Sequence, residues 1–194
     1  MKKKSKFKFL IAKETIYIEF ANYFAEKLLK EAAEEGDDDA QYMLARRLLG
    51  TWGDETINIK KATELLLGSA NKGNTSAMWQ LGVLYERGTG VLQDFKEALR
   101  WYRQASRLGD GDSMSELARM IEEGKGTPKN MIQAYVWYNL SVEKAAREKA
   151  SDETIRMITN NRNRLLGQMS QASVDEAQVL SRQCLASNYQ KCDF

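Results

Sequence analysis

The sequence predicts an all-α protein: a right-handed superhelical solenoid of helix-turn-helix repeats, capped by C-terminal helices. Three observations carry that expectation. The chain repeats itself every 36 residues: Trp101-Tyr102 returns as Trp137-Tyr138, and Gly88 and Gly90 return as Gly124 and Gly126. A fixed period of about 20–50 residues marks stacked supersecondary units. Within each unit apolar residues fall at helical spacing, so that Ala77, Leu81, Leu84 and Tyr85 share one face. Glycines and side-chain caps sit between the apolar runs, where one helix must stop and the next begin.

Taken in order, residues 1–21 form a basic N-terminal segment with Lys2, Lys3, Lys4, Lys6, Lys8 and Lys13. Residues 22–36 form a half repeat: "AEKLLKEAAEEG" (25–36) matches only a second helix, with Ala25, Leu28, Leu29, Ala32 and Gly36 in register. Residues 37–73 are the first full repeat. Its spacing to the next is 37, from Gly36 to Gly73, Ala40 to Ala77 and Leu44 to Leu81, so one extra residue lies in "LGTWGDETI" between about 49 and 57. Leu65-Leu66 stands here in place of Trp-Tyr.

Residues 74–109 are the central repeat. Its first helix, "SAMWQLGVLYERG", ends at Gly88, which suits the left-handed residue after a helix, and Gly90 lets the chain reverse. Asp94 with Glu97 three residues on reads as a capping box for the second helix, as do Asn130 with Gln133; Asn58 keeps the cap, with Lys61 in the partner position. That second helix, "FKEALRWYRQASRLG", turns Ala98, Trp101, Tyr102 and Ala105 toward its neighbours: small residues admit close backbones and aromatics fill the gaps. Residues 110–146 repeat the scheme with Ile121 for the tyrosine and Ser141-Val142 for the closing alanines.

Residues 147–194 form a helical cap on one solenoid domain. Ile155, Ile158, Leu165, Leu166 and Met169 are spaced for one face, and a Ser173/Glu176 capping box opens a helix carrying Ala177, Leu180 and Cys184.

The paired glycines are punctuation rather than a phosphate cradle. "GTGVLQ" lacks a third glycine, "GKGTPK" lacks the Gly-Lys-Thr/Ser order, and both follow helices where a nucleotide fingerprint follows a strand.

Composition narrows the chemistry. The chain of 194 residues carries no histidine and only two cysteines, which excludes Ser-His-Asp and Cys-His nucleophilic sites, His-bearing zinc sites and a four-Cys zinc site. Carboxylate, lysine or tyrosine acid-base chemistry stays open, but no constellation points to it. No catalytic residue, metal or cofactor is therefore expected. Charged residues make up 29% and nearly cancel at +2, so nothing in the overall field favours nucleic acid or membrane. The apolar run Phe9-Leu10-Ile11-Ala12 is cut by Lys13 and Glu14, short of the 7–15 residues or so of a secretory h-region. As written the chain is expected in the cytoplasm; a native leader missing from this sequence would place it in the periplasm. Cys184 and Cys192 in "CLASNYQKC" leave two states open, a bridge or two free thiols.

In its motifs the central repeat resembles the Sel-one-like repeat family, a relative of the tetratricopeptide repeat. Leu81-Gly82, Tyr85, Gly88, Gly90, Val91, Asp94, Ala98, Trp101, Tyr102, Ala105 and Gly109 follow the family pattern, and the resemblance covers about residues 22–146. It implies a non-catalytic scaffold or adaptor binding a protein partner, whether a helix, an extended peptide or an effector domain, by a monomer or weak homo-oligomer. Two alternatives come with it: a bacterial immunity protein that neutralises a secreted toxin such as an antibacterial lipase, and, more remotely, a hydrolase or penicillin-binding protein. Members of that last kind carry a cysteine pair in every repeat, which this chain lacks.

A stacked solenoid leaves a groove lined by first helices. If Ala77, Leu81, Leu84 and Tyr85 face the core, then Gln80, Val83 and Arg87 face outward. Register carries the stripe to Met43 and Arg46 in the preceding repeat, and to Glu116, Arg119 and Glu123 in the following one. Trp79 is expected to pack in the core, and Trp52, beside the inserted residue, to be an exposed anchor or a local strap.

Overall fold

A computed structural model of the chain describes residues 24–50 and 57–192, and every regular element among them is an α-helix. The chain divides into two compact units, Met1–Ser69 and Ala70–Phe194.

In the first unit, α1 (24–35), α2 (Asp38–Leu48) and all but the last two residues of α3 (Ile59–Asn71) build a small core from Ala33, Ala40 and Leu44, with Leu29, Leu48 and Leu65 packed against it. Gly36 takes the left-handed conformation between α1 and α2, at φ 93°. Asp37 caps α2 by accepting from the Ala40 N–H at 2.7 Å. The Ser69 hydroxyl ties α3 to the start of α2 by donating to the Asp38 carbonyl at 2.7 Å. Leu28, placed in register by the sequence, is exposed, because α1 turns Ala33 inward instead.

In the second unit, hairpins α4–α5 (Thr75–Arg87, Phe95–Arg107) and α6–α7 (Gly111–Glu123, Met131–Arg147) pack through α5 against α6. Helices α8 (Asp152–Leu166) and α9 (Gln171–Ala186) both lie on α7. One core runs through the unit, with Tyr102, Leu117, Ile121, Trp137, Tyr138 and Leu165 all buried. Gly82 is required on α4 because a Cβ there would overlap the Tyr102 ring, so the aromatic of the second helix rests directly on the backbone of the first. Gly126 answers two demands, a φ of 74° and the Phe95 carbonyl lying where its Cβ would be.

The start of the second helix differs from the reciprocal box expected. Asp94 accepts from the Lys96 and Glu97 N–H groups and Asn130 from that of Gln133, but the Glu97 carboxylate turns to Arg100 rather than back. The cap residue's own N–H is already used. It donates to the preceding helix: Asp94 to the Tyr85 carbonyl at 2.9 Å, Asn130 to Ile121 at 3.4 Å, and Asn58 to Leu48 at 2.9 Å. Leu48, Tyr85 and Ile121 hold one repeat position, so each loop is clipped shut by the same backbone bond, and Lys61 at the partner position of Asn58 costs nothing.

The cap also departs from the sequence reading. Helix α9 begins at Gln171 and is capped by Ser170, whose hydroxyl accepts from the Ser173 N–H at 3.2 Å, so Ser173 lies in the first turn and is not the cap. On α8, Ile158 and Leu165 are buried while Leu166 is exposed. Cys184 and Cys192 are joined in a disulfide, which decides between the two states the sequence left open. The closed loop seats Tyr189, only 7% exposed, beside Gly109, and the Gln190 side chain donates to the Arg107 carbonyl at 3.0 Å. The segment that follows α9 is thereby fastened to the turn between α5 and α6.

Candidate functional site

Residues four apart on a helix share a side, and Trp79, Val83 and Arg87 form such a stripe on α4, offset from the buried Ala77-Leu81-Leu84 face. Together with Phe95 and Tyr102 of α5, and Glu116 and Arg119 of α6, they line a cavity of about 520 Å³; Gln93 and Lys125 reach it from the two loops. That volume lies within the roughly 300–1,000 Å³ of ligand and anchor pockets.

Glu86 organises the polar side. Both of its carboxylate oxygens accept from Arg119 Nη2 at 2.7 Å, and the Tyr102 hydroxyl donates to Oε2 at 3.3 Å. Arg119 also donates through Nε to Glu116 at 2.9 Å and through Nη1 to Glu123 at 3.1 Å. Lys125 Nζ lies 2.8 Å from Glu123, 3.8 Å from Glu86 and 5.7 Å over the Phe95 ring. Gln93 is held too, its side-chain amide donating to the Glu86 carbonyl at 2.8 Å.

These contacts set the protonation states. Burial works against the Arg119 charge, yet the bonds to Glu86 and the nearby Glu116 hold the guanidinium well above its ordinary range. Burial, then the negative Glu116 and Glu86, push the Tyr102 phenol up. Burial opposes ionisation of Glu123, but Lys125 and Arg119 outweigh it and keep its carboxyl below the usual range.

The same bracket recurs one repeat on. Tyr138 donates to Glu122 at 3.3 Å, 36 residues after Tyr102 and Glu86, and Arg164 of α8 supplies the guanidinium, with Nη2 at 2.9 Å. Helix α8 thus plays toward α7 the part that α6 plays toward α5. The tyrosine and carboxylate are periodic; the arginine is whichever one the next layer provides.

Of the stripe expected from register, Val83, Arg87, Glu116 and Arg119 come together at the cavity. Glu123 stands behind it, bound to Arg119 and Lys125, and Gln80 is not among the lining residues. Met43 and Arg46 belong to the first unit, where Met43 is exposed and the Arg46 guanidinium lies 5.8 Å over the Tyr42 ring. Arg119 lines the cavity, and the three carboxylates that occupy its nitrogens make it a brace of that wall as well. Trp79 packs against the core as expected, and it also lines the cavity. Trp52 lies outside the described residues.

Sequence reasoning missed Glu86, Gln93, Phe95, Tyr102 as a cavity residue, and Lys125. The one signal that could have found part of this set is the joint recurrence of Glu86 with Tyr102 and of Glu122 with Tyr138.

Stacked helical hairpins, with an open cavity lined by aromatic and paired charged side chains, define a helical-repeat scaffold. The Sel1 repeat matches residues 38–74, 75–110 and 111–145, more than half of the sequence, and the chain belongs to the Sel1 repeat family. Among curated proteins it is similar to DAP3-binding cell death enhancer 1 of Mus musculus, at 33% identity over 86 residues, and of Rattus norvegicus, at 31% over 86. The match takes in 44% of this chain and 16% of each relative's length.

Among solved structures it is similar to a Sel1 repeat protein from Oxalobacter formigenes (29% identity, TM-score 0.59, covering 70% of this chain and 98% of that one). It is also similar to c5321, a protective antigen of uropathogenic Escherichia coli displaying an SLR fold (26%, 0.70, 84% and 33%), and to Helicobacter pylori cysteine rich protein B (25%, 0.52, 68% and 95%). Sel1 repeat proteins are in general non-catalytic scaffolds for protein interaction.

Proposed function

We propose that this chain is a non-catalytic adaptor that binds a protein partner along the exposed sides of α4 and α6, with the cavity between α4, α5 and α6 as its anchor. The carrying observation is the Trp79-Val83-Arg87 stripe over a wall already braced by Glu86, Arg119 and Tyr102. Tryptophan and arginine are the residue types that most often carry interface energy, and a wall held before the partner arrives loses less side-chain freedom on binding. A cavity of about 520 Å³ accepts a few side chains of an extended segment rather than a whole helix, whose width with side chains is about 10–12 Å. The similarity to DAP3-binding cell death enhancer 1 supports a protein-binding role. The Cys184–Cys192 bridge supports work in an oxidising compartment, where such bonds persist.

The test is site-specific photocrosslinking in the native host from Val83, with exposed Val179 on α9 as the control position. One partner should be captured from Val83 and lost when Arg87→Glu is added, while the melting temperature stays put. Arg119→Met should instead lower the melting temperature by stranding Glu86. Capture from Val179 alone would move the binding surface elsewhere.

A further inference from the structure

The charges around the cavity are not equally available. Glu86 uses both carboxylate oxygens on Arg119, Glu116 pairs with Arg119, and Glu123 pairs with Arg119 and Lys125. Arg119 has all three nitrogens engaged, and Lys125 is held between Glu123 and Glu86. Arg87 stands apart. Its side chain is exposed, lines the cavity, and makes no ion pair or hydrogen bond among the described residues.

An incoming cation meets only carboxylates already neutralised by Arg119 or Lys125 and would have to share them. A carboxylate meets Arg87 and breaks nothing, and the guanidinium fork can take it through two parallel bonds. Beside Arg87 lie the apolar parts of the wall, Trp79, Val83 and Phe95, and the neighbouring loop projects Leu92, 91% exposed, into solvent.

We propose that the partner docks an extended segment in which an aspartate or glutamate side chain stands next to a large apolar one. The carboxylate pairs with Arg87 and the apolar side chain covers Trp79, Val83 and Phe95. This rests on the reading of the cavity as the anchor and adds the chemistry of what enters it. Arg87, not Arg119, is the residue that selects.

Three fluorescein-labelled hexapeptides, blocked at both ends so that no chain terminus supplies a charge, test the inference by fluorescence anisotropy on the full chain. They are Ser-Phe-Asp-Glu-Phe-Ser, its Lys-Lys counterpart and its Asn-Gln counterpart. The acidic peptide should bind the wild type about three- to tenfold more tightly than the neutral one, the scale of a partly exposed charge pair. That advantage should vanish in Arg87→Glu, persist in part in Arg87→Lys, and be untouched by Arg156→Glu on α8, whose charge lies outside the cavity.

Acidic-peptide affinity that is the same in Arg87→Glu as in the wild type overturns the inference. Preference for the Lys-Lys peptide, lost in Glu116→Gln, also overturns it but leaves the cavity standing as a docking site. Failure of all three peptides to bind removes the anchor reading itself.

Discussion

Replacing both bridged cysteines, Cys184→Ser with Cys192→Ser, should weaken the second unit out of proportion to the length of chain involved. The two residues are 8 apart in sequence. In the chain-entropy account, closing so short a loop removes about 2.5 kcal/mol of freedom from the unfolded chain. For a chain of this size, at about 2–4 °C per kcal/mol, that corresponds to about 5–10 °C in melting temperature.

The structure adds a spatial signature to the magnitude. Tyr189 covers Gly109, and the Gln190 amide holds the Arg107 carbonyl, so the bridge reports on a turn some eighty residues upstream. Hydrogen exchange should therefore accelerate at the Gly109 and Asp110 amides, which donate to Ser106 and Ala105, as well as in residues 187–192. Urea denaturation followed by circular dichroism gives the free energy, and exchange mass spectrometry gives the location. The Tyr189→Ala variant, with the bridge intact, separates docking from loop closure. Loss of under about 0.5 kcal/mol, or unchanged exchange at Gly109 and Asp110, would refute the idea that the bridge fastens the tail to this turn.

Gly82→Ala should cost about 1–3 kcal/mol, the usual range for overpacking a full core, because the Tyr102 ring occupies the space of the new methyl group; thermal melts check this, and Tyr102→Leu in the same chain should recover part of the loss. Stability should also fall in alkali. Tyr102 and Tyr138 both have folded-state pKa values raised by burial and by their glutamate partners. Their contribution is complete below the unfolded value of about 10 and declines above it, by up to about 1.4 kcal/mol per pH unit for each tyrosine. Denaturation series at stepped pH should show that slope, and Tyr102→Phe with Tyr138→Phe should flatten it.

Much of the fold was legible because its determinants are local. A left-handed backbone at Gly88 and Gly124 needs glycine, a helix start at Asp94 or Asn130 needs a short oxygen-bearing side chain, and both demands recur with the period. The cap was harder to read. Nothing repeats there, so the Ser173/Glu176 spacing was the one guide to the start of α9, and the helix begins three residues earlier, capped by Ser170.

The candidate site was legible only in part, because register says which way a residue points and not what meets it. Arg87 and Arg119 both lie on first helices, and spacing alone already gives Arg119 acidic neighbours, Glu116 three residues before and Glu123 four residues after, where Arg87 has none at such spacing. Tertiary structure adds the third carboxylate, Glu86 of α4, to Arg119 and leaves Arg87 open at the cavity. By itself, the sequence determined the repeating helical hairpins, their turns and the absence of histidine chemistry, since these depend on residues close along the chain. Tertiary structure decided that Arg119 also meets Glu86 from the neighbouring hairpin, that the Arg87 side chain is left unpaired among the described residues, and that the chain after α9 turns back so that the two cysteines join, because each depends on how the backbone packs and not on residue spacing alone.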